Sequence, residues 1–146
     1  MPQIRKSKKL PFSAQQMFDL VADVEQYPQF LPWCAAARLV KRDETEIIGT
    51  LIVEKGGLRK SFTTRNRYQY PQWMNIALVE GPFKHLSGRW EFLPQEQGGC
   101  EVRYEMNFEV PFFLAPILGG VMEYMANTMV GAFAERAAQV YGQSAD

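Results

Sequence analysis

A chain of 146 residues, 47% hydrophobic and 22% charged, can bury one sizeable core and has the balance of a water-soluble globular domain. Its 16 basic and 16 acidic residues cancel to a formal charge of zero, so overall charge singles out neither nucleic acid nor a membrane surface as partner. Cys34 and Cys100 are far apart with no CxxC spacing, no secretory signal is read, and the longest charge-free run, residues 110–122, falls well short of the ~20 residues a membrane span needs. Reduced thiols in a cytosolic protein that does not cross a membrane are expected.

Residues 3–10 (QIRKSKKL) carry too many cations for a central strand and suit a sheet edge, where lysines discourage pairing with other chains. Ser13 is placed to N-cap a helix over residues 14–23, with Met17, Phe18, Leu20, Val21 and Val24 as its apolar face. Tyr27-Pro28 stops it, and residues 29–31 make one further turn. Beyond Cys34 the pattern changes to short runs that fit antiparallel strands over residues 35–42, 46–55, 58–68, 73–80, 85–93 and 100–110. Between them stand turn residues: Asp43-Glu44, Gly56-Gly57, Tyr70-Pro71-Gln72, Gly81-Pro82 and Gln97-Gly98-Gly99.

The last strand alternates most clearly. Val102, Tyr104, Met106, Phe108 and Val110 share one face, and Arg103, Glu105, Asn107 and Glu109 the other. On residues 58–68, Phe62, Thr64, Asn66 and Tyr68 have the inward parity, while Arg59, Arg65 and Arg67 point the other way with Ser61 and Thr63. One apolar face means a sheet covered on one side. The cover is a long helix over residues 115–141, roughly 40 Å at ~1.5 Å per residue. Its stripe is Leu118, Val121, Met122, Met125, Met129, Ala132, Phe133, Arg136 and Val140. Such a chain is one α+β domain spanning residues 1–146: a helix-grip architecture, with a curved antiparallel sheet of about six to seven strands wrapped around the C-terminal helix and an apolar cavity between them.

Little here promises catalysis. There is one histidine, His85, at a strand start; no cluster of histidine, cysteine and carboxylate suits a metal, and no serine has a base partner. No catalytic residue and no metal ligand is assigned. Binding is better supported. Met122, Met125 and Met129 give the helix a wall that can re-pack around different shapes, facing Phe62, Tyr104, Met106 and Phe108. Two aromatic segments rich in proline flank it: Phe30, Leu31 and Trp33 in the first, Phe112 and Phe113 in the second. They read as the two lips of an entrance, with Pro32 holding Trp33 outward against a membrane. The outward Arg59, Arg65 and Arg67 form a basic stripe suited either to solvent or to an RNA backbone.

Residues 23–34 (DVEQYPQFLPWC), Thr64-Arg65-Asn66, residues 80–92 (EGPFKHLSGRWEF) and Pro111-Phe112-Phe113 together resemble the coenzyme-Q-binding START-like family, along essentially the whole chain. Within it the sequence is similar to the bacterial ribosome-association toxins, which are also grouped with polyketide cyclase-like proteins. The resemblance implies a START or Bet v 1-like helix-grip fold and no catalytic cofactor. The expected occupant is a hydrophobic small molecule, ubiquinone or a related prenyl quinone, taken up by transient contact at the inner face of the membrane. The alternative role that the resemblance implies is binding of the large ribosomal subunit that blocks subunit joining.

Overall fold

In the computed structural model, which describes residues 3–142, the chain runs β1 (Gln3–Leu10), α1 (Ala14–Ala22), a 3-10 turn (Val24–Gln29), β2 (Cys34–Arg42), β3 (Glu46–Lys55), β4 (Leu58–Gln69), β5 (Trp73–Glu80), β6 (His85–Pro94), β7 (Cys100–Glu109), a π-helical turn (Ala115–Gly119) and α2 (Gly120–Tyr141). Consecutive strands from β2 to β7 pair as antiparallel hairpins, and β1 lies antiparallel on β7. One sheet of order β1-β7-β6-β5-β4-β3-β2 results, with α2 laid over β7 and β1 and packed against α1. The expected helix-grip architecture is what forms.

Local chemistry sets the connections. Ser13 caps α1: its hydroxyl accepts from the Gln16 N–H at 3.1 Å while the Gln16 side chain accepts from the Ser13 N–H at 2.9 Å, a reciprocal capping box. Between β2 and β3, the Asp43 carboxylate accepts from the Thr45 and Glu46 N–H groups, which holds its pKa down to about 2. Gly56 and Gly57 both have positive φ, 60° and 84°, the backbone of a two-residue hairpin that follows strand twist. The β6–β7 turn needs Gly99 for two reasons: φ is 76°, and a Cβ there would run into the Leu10 carbonyl oxygen. The edge strand β2 is broken by register shifts between Cys34 and Ala36 and between Leu39 and Lys41.

The inward residues of the sheet and the facing sides of α1 and α2 bury one continuous core. At its centre Trp90 meets Tyr104 at 4.5 Å and stands edge-on to Phe133 of α2 at 5.4 Å. Two boundaries differ from the sequence reading. The turn after α1 starts earlier, at Val24, and carries Pro28 inside it. The long helix opens with a π-helical turn that carries Pro116, becomes regular only at Gly120 and spans about 33 Å. Its stripe also drifts near the end: Ala137 is buried, Arg136 half-buried and Val140 exposed. The step from Phe133 is four residues, not three.

Candidate functional site: a methionine-walled interior

The inner face of the sheet and α2 enclose a small cavity of about 40 Å³. Its apolar lining comes from Leu51, Phe62, Met74, Ile76, Leu86, Trp90 and Met106 of the sheet and from Met125 and Met129 of α2. Tyr27, Thr64, Asn66 and Tyr104 add polar groups. The deep cavity expected from the sequence is therefore closed in this conformation. Its lining includes four thioether side chains, Met74 and Met106 from the sheet and Met125 and Met129 from α2, the side chains best able to change shape.

Of the residues assigned to ligand binding, Phe62, Tyr104, Met106, Met125 and Met129 come together around this space. Leu31, Phe108 and Met122 are buried in the surrounding core. Phe30 is half-buried, edge-on to Phe133 at 5.1 Å and covered by the Arg136 guanidinium at 5.0 Å. Trp33 corrects the sequence reading: it is 1% exposed and part of the core. Hydrogen bonds from the Leu31 N–H to the Tyr27 carbonyl and from the Cys34 N–H to the Leu31 carbonyl wind this segment so that Pro28 and Pro32 face water and Tyr27, Leu31 and Trp33 face inward. The Glu54 N–H then ties the Trp33 carbonyl to the end of β3. A proline-stiffened loop can turn its rings either way, and here burial wins.

The second aromatic segment does face water. Phe112 is 87% exposed and Phe113 71%, their rings 6.2 Å apart and perpendicular. Ile117 and Tyr124 are exposed as well, with the Lys55 ammonium 4.4 Å over the Tyr124 ring. An open groove of about 720 Å³ lies at the end of β7 and the start of α2, with Phe108, Val110 and Ala115 on its walls and Glu109 and Glu123 at its rim. Gly119 and Gly120 line it too, and a Cβ at either would meet nothing within 4 Å.

Three buried polar atoms lack a protein partner among the described residues: Trp33 Nε1, Asn66 Oδ1 and Tyr104 Oη. The last two belong to residues of the cavity lining. Burial drives the Tyr104 hydroxyl well above its ordinary pKa, and burial with the nearby Cys34 and Asp23 does the same for Tyr27. Both stay neutral. Tyr27 spends its proton on the Val21 carbonyl; Tyr104 does not. Sequence reasoning placed Asn66 on the inward face yet did not assign it to the site. The available signal was an amide amid inward apolar residues. Trp90, Met74, Ile76, Leu51 and Leu86 carry no signal that separates cavity wall from ordinary core.

On the outer face of the sheet, Arg59, Arg65 and Arg67 are exposed as expected, but they are not free. Arg59 pairs with Glu54, and Glu46 takes Arg65 at 3.4 Å, Arg67 at 3.7 Å and Lys41 at 3.3 Å. Beside them Arg89 lies 5.1 Å from the Trp73 ring and donates to Asn75 at 2.6 Å. His85 is exposed, and its ring lies 3.1 Å from the Ser87 hydroxyl. Among the described residues no three histidine, cysteine or carboxylate side chains converge as metal ligands, and no helix is long and apolar enough to cross a membrane.

Residues 10–134 match the family described as polyketide cyclase / dehydrase and lipid transport. The chain belongs to that family. Among its relatives is the ribosome association toxin RatA of Escherichia coli strain K12, 41% identical over 97% of this chain and 90% of that one. The mitochondrial coenzyme Q-binding protein COQ10 homolog B of Xenopus laevis is 30% identical over 94% of this chain, which spans 59% of the Xenopus protein. A START superfamily protein from Mycobacterium smegmatis superposes with a TM-score of 0.77 at 20% identity, over 94% of this chain and 98% of that one, and carries the fold alone. Within the polyketide cyclase / dehydrase and lipid transport family, then, this chain has kin named both for a ribosome and for a quinone.

Proposed function

We propose that this chain is a non-enzymatic binder of a ring-and-tail lipid of the prenyl quinone class, taken up between the sheet and α2. The observation that carries this reading is the interior itself: a small, mostly apolar space with methionines in its lining from both the sheet and α2. A drug-sized ligand needs roughly 300 Å³ or more, so uptake requires Met125 and Met129 to swing aside, which unbranched side chains do at little strain. Phe112 and Phe113 would rest in the bilayer interface while the tail passes, with the protein otherwise in the cytoplasm. Kinship to a protein named for coenzyme Q binding supports the ligand class.

A cyclase reaction fits less well. It needs acid and base groups at the ring, and the polar lining here is two tyrosines held neutral by burial, one threonine and one asparagine. The test of the main reading is organic extraction of the protein purified from its native host, followed by mass spectrometry. A prenyl lipid at near-stoichiometric yield is expected; protein free of lipid, which also takes none from quinone-loaded vesicles, would overturn the proposal.

A second reading has its own observation. The outer face of the sheet exposes Arg59, Arg65 and Arg67 beside the half-buried Arg89 and Trp73, cations and a ring that suit an RNA backbone and its bases. Relatives named for ribosome association favour that use, with the large subunit as target and block of subunit joining as outcome. The two roles use opposite faces and do not compete for residues.

A further inference from the structure

Resting on the lipid-binding reading, we propose that the interior selects the reduced, hydroxyl-bearing form of its aromatic ligand, a hydroquinone or phenol, over the carbonyl-only quinone. The carrier of this inference is the pair of buried atoms without partners, Tyr104 Oη on β7 and Asn66 Oδ1 on β4. Tyr104 is 1% exposed. Asn66 is half-buried, but its oxygen is turned away from solvent.

The two atoms want different things. A phenolic hydroxyl both donates and accepts, whereas an amide oxygen only accepts. A quinone carbonyl offers lone pairs and no proton. It satisfies Tyr104 and leaves Asn66 Oδ1 facing another acceptor. A hydroquinone satisfies both, since its ring oxygen accepts from Tyr104 and its O–H donates to Asn66. The ring then has Trp90, Phe62 and the methionine thioethers around it, contacts that do not depend on oxidation state. An unpaired buried acceptor is a cost that the quinone complex carries and the hydroquinone complex does not.

Along its row across the sheet Asn66 meets no other polar side chain. Asn66 pairs with Ile76, Ile76 with Gly88, and Gly88 with Met106. Gly88 therefore contributes no side chain between Asn66 and the β7 wall. A Cβ there would come within 2.9 Å of the Glu105 carbonyl oxygen and 3.4 Å of Ile76.

The experiment uses the full chain and two forms of one probe, a decyl-tailed dimethoxybenzoquinone and the hydroquinone made from it, compared anaerobically by quenching of tryptophan fluorescence. The hydroquinone should bind about tenfold more tightly, which raises the midpoint potential of the bound couple by about 30 mV. Asn66→Leu should pull the ratio toward one, whereas Tyr104→Phe, which removes a hydrogen bond that both forms accept, should weaken both and leave the ratio in place. Should either variant fail to fold, the dimethyl ether of the hydroquinone, which cannot donate, must bind wild type as weakly as the quinone. Equal affinity for both forms, or a ratio untouched by Asn66→Leu, overturns the selection and leaves lipid binding standing. Binding of neither form overturns both.

Discussion

Truncating Trp33 to alanine removes a ring that is 1% exposed, and the expected loss is ~3–5 kcal/mol, read from the urea midpoint. Trp33→Phe should cost much less, because the indole N–H it deletes has no partner among the described residues. Near-equal stability of Trp33→Ala and wild type would return this ring to the surface. The buried thiols make a different prediction, about pH. Cys34 and Cys100 are free and buried, and burial pushes both from 9.0 up to about 11; Tyr27 and Tyr104 are raised above 10 for the same main reason. A group raised by folding keeps its proton longer in the folded chain than in the unfolded one. Its contribution is therefore complete below the unfolded value and lost as pH climbs. Stability should fall from about pH 9 upward, each thiol adding a slope of at most about 1.4 kcal/mol per pH unit until about pH 11. Urea midpoints between pH 8 and 11 should decline less steeply in Cys100→Ala than in wild type; parallel declines would mean that Cys100 is not protected.

At the scale of elements, α2 is where stability and binding separate. Met125 is 1% exposed and faces the cavity. Met125→Leu conserves volume and should cost under about 1.5 kcal/mol while largely preserving lipid retention. Met125→Asp should abolish retention in whatever fraction stays folded, and retention by both variants alike would move the ligand elsewhere. The elements themselves were legible in the sequence because their signals are local. The Ser13 cap, the Gly56-Gly57 turn, the alternation of residues 102–108 and the lysines of β1 each depend on a few neighbours. What escaped was the sense in which a segment turns. Nothing in the aromatic, proline-rich stretch 27–34 says that Trp33 turns into the core, because the bond that ties its carbonyl down comes from Glu54 at the end of β3. The site was half legible for a similar reason. Inward parity found Phe62, Tyr104 and Met106, and the helical stripe found Met125 and Met129. Whether an inward residue touches the cavity or merely the core depends on sheet curvature, which periodicity does not encode.

For the whole molecule, the opposed faces of the sheet separate two measurements. Arg65→Glu with Arg67→Glu should weaken association with the large ribosomal subunit strongly and leave lipid retention unchanged, and wild-type association should drop steeply with salt. Glu46 gives the sign its check. It sits among Arg65, Arg67 and Lys41, so Glu46→Gln should tighten subunit binding; weaker binding would mean that the carboxylate orders the arginines and does not mask them. A chain with zero formal charge has no long-range repulsion to keep its copies apart near neutral pH, and its sheet is open at both ends. The colloidal fate of the protein thus rests on two strands. β1 carries the exposed cations Arg5, Lys6, Lys8 and Lys9, and β2 is crooked by two register shifts, so neither offers a straight, uncharged template for fibril nucleation. Replacing Lys6 and Lys8 with threonine should leave the fold in place but shorten the lag of thioflavin-positive aggregation under agitation. An unchanged lag would mean that nucleation starts somewhere other than the β1 edge.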